Sequence, residues 1–284
     1  MTSNATSGIS ALLLHGLCST PDELMPVQGA LRDAGYRVVP LSVTGYSFDD
    51  ARITQRATPY RQWLHAVALE ARRQHSLGQR VVLVGISAGA ALALGAALHC
   101  ADVLDGLVLM STTLQYDGWA VPRHHFLMPL ALYTPLGRFW QYRERPPYGV
   151  KNVRVRRWIE RELNARRVSR AGAAVIGVPH LREYDRLRRL VRRSLASFNC
   201  PPVLALHARE DEVASPANVD ALERELRTPS FRSVLLPNSH HMITIDNDRQ
   251  QVVAETLCFM ASLLQSSRPP QPPTRETSHA DAHV

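Results

Sequence analysis

The chain carries Gly85-Ile86-Ser87-Ala88-Gly89 between two segments of opposite character. Ahead of it, Arg80-Val81-Val82-Leu83-Val84 is short, apolar and β-branched, and reads as a buried strand. Behind it, Ala90-Ala91-Leu92-Ala93-Leu94-Gly95-Ala96-Ala97-Leu98 is built of small residues and leucine, and reads as a helix. A serine that turns a strand directly into a helix needs glycines beside it, and the turn lifts its hydroxyl above the sheet edge. The plain alternative is a small-residue turn holding an ordinary serine. The strand before it and the helix after it weigh against that alternative. The arrangement points to covalent acyl chemistry.

A serine is a weak nucleophile until a base takes its proton, and the base needs an acid to orient it. With this turn, the chain order is serine, then Asp or Glu, then histidine. The run Pro201-Pro202-Val203-Leu204-Ala205-Leu206-His207 reads as a strand and leads into Ala208-Arg209-Glu210-Asp211-Glu212-Val213. The next apolar run, Phe231-Arg232-Ser233-Val234-Leu235-Leu236, leads into Pro237-Asn238-Ser239-His240-His241-Met242. Asp211 and a histidine therefore follow two successive predicted strands, where an acid and a base belong. Glu210 and Glu212 leave open a merely solvated acidic loop at this point. His240 and His241 stand equal on chemistry alone.

The remaining chain alternates apolar runs with amphipathic stretches. A strand at about 10–15, a helix from Pro21 to Gly35 and a strand at 36–41 come first. A helix over about 60–74 follows, with Trp63, Leu64, Val67 and Leu69 as its sheet-facing stripe. Leu107-Val108-Leu109-Met110 supplies the strand after the serine-bearing turn. This alternation calls for a mostly parallel sheet with helices on both faces. At 284 residues and 45% hydrophobic, the chain can bury a full core as one domain with an insertion. Residues 1–9 read as a flexible start, 10–265 as the domain, and the Pro- and Ser-rich 266–284 as a disordered tail.

Leu12-Leu13-Leu14-His15-Gly16-Leu17, Thr20-Pro21-Asp22-Glu23-Leu24, the serine turn, Asp211-Glu212-Val213 and His241-Met242-Ile243-Thr244-Ile245-Asp246 together resemble the α/β-hydrolase superfamily. Within it they are most similar to the bacterial carboxylesterase and monoacylglycerol lipase-like group. The resemblance covers about residues 10 to 265 and implies an α/β-hydrolase fold: a mostly parallel central sheet, helices on both faces and an inserted helical cap. With few residues ahead of Ala11, the superfamily's usual first β-hairpin is not expected. Carried over, the resemblance implies Ser87 as nucleophile, Asp211 as acid and His241 as base, with His240 standing where the group has glycine. Acyl transfer also needs donors for an oxyanion. One is the N–H after the nucleophile, Ala88; the resemblance places the second at Leu17 N–H. His15 reads as a loop-shaping residue.

Between Met110 and Pro201 lies a long insertion, a cap expected at about 115–198. Phe126, Met128, Leu130 and Tyr133 near its start are apolar enough to line an acyl pocket, although a helix simply packed on the core would look the same. Residues 138–193 hold seventeen basic against five acidic side chains, while the whole chain carries only +8, so the positive field is local. Such a field raises encounter rates with anionic partners and fades with salt. The partners it suits are an acyl carrier protein, an acyl-CoA or an anionic lipid surface; a solvated arginine face would carry the same charge. Nucleic acid ranks low, because no nucleic-acid motif accompanies the charge.

The expectation is a serine hydrolase of carboxylic esters, with a thioesterase, a C–C bond hydrolase and a non-catalytic binding protein on the same fold as alternatives. Four scattered cysteines without metal spacing read as free thiols of a reducing cytoplasm, and Cys18 beside the oxyanion loop reads as inert rather than reactive. The first ten residues lack a signal-peptide pattern, and no apolar run reaches membrane-span length. With no Gly-rich phosphate loop and no metal-ligand cluster (His124-His125 is a lone pair), neither cofactor nor metal is expected.

Overall fold

The computed structural model describes residues 8–48, 56–165, 168–169, 172–173 and 175–265. Residues 1–7 of the expected flexible start and the tail at 266–284 lie outside them, while Ile9 already opens the first strand. Strands β1 (Ile9–Leu14), β2 (Arg37–Pro40), β3 (Arg80–Ile86), β4 (Gly106–Met110), β5 (Val203–Ala208) and β6 (Phe231–Leu236) form one parallel sheet in the order β6-β5-β4-β3-β1-β2. The chain runs outward from β1 to β2 and then returns to β3 on the other side of β1. Loops leaving β1 and β3 thus diverge to opposite faces and open a crevice at their carboxyl ends. Leu14 ends β1 directly opposite Gly85 of β3, so the His15–Leu17 loop and Ser87 leave adjacent strands at the same edge of the sheet.

Helices cover both faces, which is why the central strands are continuous apolar runs instead of alternating ones. Leu12, Leu14, Val81 and Leu83 point into a core shared with α2 (Tyr60–Ser76) and α3 (Ala88–Cys100). Ile9, Ala11, Leu13, Val82, Val84 and Ile86 point the other way, toward α1 (Met25–Asp33) and the C-terminal helix Arg249–Gln265. Helix α3 is apolar almost all round, as a helix enclosed by sheet and neighbours must be. On α2 the buried stripe is Trp63, Leu64, Val67, Ala68 and Ala71. Leu69, expected on that stripe, is instead 61% exposed. It falls outside the i, i+3, i+4 rows that continue from Trp63 and Leu64.

The helices of the insertion between β4 and β5 pack on different parts of the molecule. The insertion's outer part holds the short helix α4 (Met128–Tyr133) and an antiparallel pairing of Gln141–Arg143 with Val175–Gly177. Helix α5 (Val153–Ala165) buries Ile159 on the side of α1, with Val155 and Trp158 packed beside it. Helix α6 (Val178–Ser194) sends Tyr184, Leu187 and Val191 into the core of α2 and α3, so it belongs to the body's helical layer. The last two helices, α7 (Ala217–Glu225) and α8 (Arg249–Gln265), flank β6 along the chain. Among the described residues no helix is long and apolar enough to cross a membrane.

Candidate active site

Ser87 sits between the last residue of β3 and the first of α3 with φ 55° and ψ −119°. A side chain in that region is strained by about 1–3 kcal/mol, which the surrounding structure has to impose. Here the Ser87 N–H is bound to the Met110 carbonyl at 2.8 Å, and the flanking glycines let the turn close. A Cβ on Gly85 would lie 2.4 Å from the Gly89 carbonyl oxygen, and one on Gly89 would lie 2.1 Å from that of Leu14. The elbow therefore folds against both itself and β1. Its serine is left half-buried at the crevice.

Three side chains from three strand ends meet there. His241 Nε2 lies 2.8 Å from Ser87 Oγ, and its Nδ1 lies 2.8 Å from Asp211 Oδ2. The Val213 and Ala214 N–H groups donate to Asp211 Oδ1 at 2.8 and 2.9 Å. Burial pushes the Asp211 carboxyl upward, but His241, His207 and the backbone donors outweigh it and hold the carboxyl below its usual range. An ionised Asp211 only accepts, so Nδ1 carries the proton and Nε2 is free to receive one from the serine. Burial likewise opposes charge on His241, yet Asp211, Glu212 and Glu144 together raise its pKa to about 9.

Of the two adjacent imidazoles, only His241 reaches Ser87. His240 donates from Nδ1 to the Glu210 carbonyl at 2.9 Å and packs edge-on against Trp119. The His241 carbonyl is held by the Ser111 hydroxyl at 2.6 Å, and its N–H donates to Glu212 at 3.1 Å. Asp246 braces the same loop from behind. Its carboxylate accepts the N–H groups of His240, Lys151 and Asn152 at 2.9, 2.6 and 2.8 Å, tying the histidine loop to the start of α5.

Leu17, in the loop after β1, and Ala88, the residue after Ser87, are buried, and among the described residues neither N–H has a hydrogen-bond partner. The orientation of Leu17 N–H follows from the other end of its own peptide plane. His15 donates from Nδ1 to the Gly16 carbonyl at 2.7 Å while its Nε2 accepts the Ser47 hydroxyl at 2.8 Å. A planar trans peptide directs the Leu17 N–H away from that carbonyl. Burial keeps His15 neutral by lowering its pKa to about 4, so this tautomer persists across ordinary pH. Cys18, next in the loop, has its thiol pushed up to about 12 by burial, which leaves it without thiolate reactivity.

The structure also brings in residues that the sequence did not single out for the site. Thr113, just past β4, places Oγ1 3.4 Å from Ser87 Oγ; a hydroxyl beyond a central strand's carboxyl end was a usable signal. Glu144 from the insertion faces His241, Glu212 and Glu23 electrostatically, and burial raises its carboxyl to about 7. Nothing in its arginine-rich stretch marked it. Of the residues expected at an acyl pocket, Phe126, Leu130 and Tyr133 are exposed and Met128 is half-buried. Tyr133 turns its hydroxyl to Asp185 at 2.7 Å, with the guanidinium groups of Arg186 and Arg189 over its ring.

A serine–imidazole–carboxylate relay with unpartnered backbone N–H groups in the adjoining turns can activate a hydroxyl and stabilise an oxyanion. Among known proteins, the chain is 24% identical to the thermostable monoacylglycerol lipase of Bacillus sp. (strain H-257) over 255 residues, 89% of this chain and 90% of that protein. Its fold is similar to that of the Saccharomyces cerevisiae monoglyceride lipase in a soluble variant, with TM-score 0.73, 14% identity and coverage of 92% of this chain and 89% of that one. The Paleococcus ferrophilus monoacylglycerol lipase gives TM-score 0.71 and 17% identity, covering 89% of this chain and 94% of that one. The sequence pattern of the alpha/beta hydrolase fold family matches residues 12–248, and the chain belongs to that family.

Proposed function

We propose that this protein is a serine ester hydrolase of lipid acyl esters, of the monoacylglycerol lipase and carboxylesterase kind. The observation that carries the reading is the continuous Ser87–His241–Asp211 hydrogen-bonded chain, with both links at 2.8 Å. Ser87 Oγ attacks the ester carbonyl carbon while His241 Nε2 takes its proton, and Asp211 stabilises the imidazolium. Leu17 and Ala88 N–H groups receive the oxyanion. The C–O bond to the alcohol breaks and His241 returns the proton to that oxygen. Water then gives a proton to His241 and attacks the acyl carbon. The Ser87 ester bond breaks, Oγ regains its proton and the carboxylic acid leaves. Similarity to lipases that act on monoacylglycerols, by their names, supports an acyl glycerol as the ester.

The insertion suits a lipid surface better than an acyl carrier protein. Phe126, Leu130, Leu136 and Phe139 are 52–78% exposed, and Met128 and Tyr133 lie on the same segment. Arg123, Arg138 and Arg143 are interspersed, with no acidic residue between Asp117 and Glu144. An acidic carrier would satisfy the arginines and leave the apolar side chains in water. Anionic lipid matches both.

The test is hydrolysis of a long-chain monoacylglycerol in vesicles, a soluble p-nitrophenyl ester and an acyl carrier thioester by wild type and Ser87→Ala. The reading expects the esters to be cleaved, a fluorophosphonate to label Ser87, and the folded Ser87→Ala variant to lose turnover and labelling. An unlabelled wild type would favour a binding protein, and a salt-sensitive preference for the thioester would favour a thioesterase.

A further inference from the structure

Glu23 is a buried acid, 3% exposed, that the steps above leave unused. A carboxyl group out of water is costly unless hydrogen bonds hold it, and those of Glu23 lead to both halves of the site. It stands in the single 3₁₀ turn Pro21–Leu24, and its Oε2 accepts the Gly16 N–H at 2.6 Å. A Cβ on Gly16 would lie 3.1 Å from that oxygen, so glycine lets the carboxylate seat closely on the oxyanion loop. Glycine also brings freedom of rotation, and nothing intrinsic to it would fix the direction of the following Leu17 N–H. That direction must be imposed from outside, by His15 on the Gly16 carbonyl and by whatever fixes the peptide ahead of Gly16. The peptide ahead of Gly16 is held at both ends, its carbonyl by the Tyr46 hydroxyl at 2.6 Å and its N–H by Glu23.

The second link runs the other way. The Glu23 backbone carbonyl accepts the Thr244 hydroxyl at 2.6 Å, three residues past His241 in the histidine loop. One residue therefore touches the loop that carries the oxyanion donor and the loop that carries the base. We propose that Glu23 is a positioning residue that sets these two loops in register, its carboxylate fixing Gly16 and its carbonyl fixing Thr244. The inference rests on the ester-hydrolase reading, because it assigns Leu17 N–H a role in that reaction.

The experiment compares Glu23→Met, which fills the space without an oxygen acceptor, with Glu23→Gln, which keeps one. A soluble p-nitrophenyl ester gives kcat and KM; a trifluoromethyl ketone, which binds as a tetrahedral oxyanion, gives Ki; thermal melting reports folding. Glu23→Met should lower kcat about 30- to 100-fold with KM within about threefold, the scale of a misplacement near 1 Å. It should weaken trifluoromethyl ketone binding by a similar factor. Glu23→Gln should recover to within about fivefold of wild type in both. Should Glu23→Met not fold, the conservative Thr244→Val, which removes the other link, should lower kcat at least threefold at unchanged KM. A folded Glu23→Met with wild-type kcat overturns the inference. So do equal losses in Met and Gln, or a normal Thr244→Val where that variant is the test. A wild type that neither labels nor hydrolyses any ester overturns the ester-hydrolase reading, and this one with it.

Discussion

Raising the pH from 7 to 9 probes the electrostatics around His241 directly. Burial works against the imidazolium, but Asp211 at 2.8 Å, backed by Glu212 and Glu144, raises its pKa to about 9. The base must be neutral to accept the proton of Ser87. A single group with that pKa is roughly 1% neutral at pH 7 and roughly 10% neutral at pH 8. The activity limb therefore lies on the alkaline side, and kcat/KM should rise about tenfold between pH 7 and 8 and level off above about 9. Glu144→Gln removes one of the charges that raise the imidazolium pKa, so its limb should move to lower pH. The assay is kcat/KM for a soluble p-nitrophenyl ester from pH 6 to 10 at constant ionic strength, corrected for spontaneous hydrolysis. A wild-type midpoint at or below the ordinary histidine value, or the same midpoint in Glu144→Gln, would refute the reasoning.

Three further outcomes are expected. His241→Ala should cost kcat about 10⁴-fold or more, whereas His240→Ala, which loses a contact to the Glu210 carbonyl, should stay within about tenfold; steady-state rates of the two variants decide. Gly89→Ala should destabilise by about 3 kcal/mol or more, because its Cβ would meet the Leu14 carbonyl at 2.1 Å, and thermal melting would show it. Asp246→Ala leaves the N–H groups of Lys151 and Asn152 without their acceptor, so limited proteolysis near residues 150–165 should speed up while the α3 core stays protected.

The proposed serine, acid and base could be picked out along the chain because each follows a strand, and a parallel sheet brings all carboxyl ends to one edge. Where an apolar run stops is visible in one dimension. Which way a loop residue then points is not. His240 and His241 are chemically identical neighbours, and only the shape of their loop sends one to Ser87 and the other to the Glu210 carbonyl. Leu69 failed for a related reason: its composition fitted the stripe, but its angle around α2 carried it to solvent. Glu144 and Glu23 owe their places to long-range folding of the insertion and the first loop, and no local pattern announces such contacts. The packing of α6 was hidden as well. Arginine-rich α6 looks like a solvated face, yet Tyr184, Leu187 and Val191 recur at helical spacing and carry it into the body.

The Asp246 carboxylate has a consequence for how such an enzyme changes its diet over evolutionary time. The residues proposed to carry the chemistry follow strand ends of the sheet, whereas the segment from Phe126 to Tyr142 lies within the insertion between β4 and β5. Replacing that segment is a route to new substrates that leaves the serine turn alone. At residues 151–152, however, the insertion shares one acceptor with the N–H beside His241. A graft that keeps Lys151 and Asn152 preserves the base; one that cuts across them exchanges specificity and loosens the machinery in the same stroke.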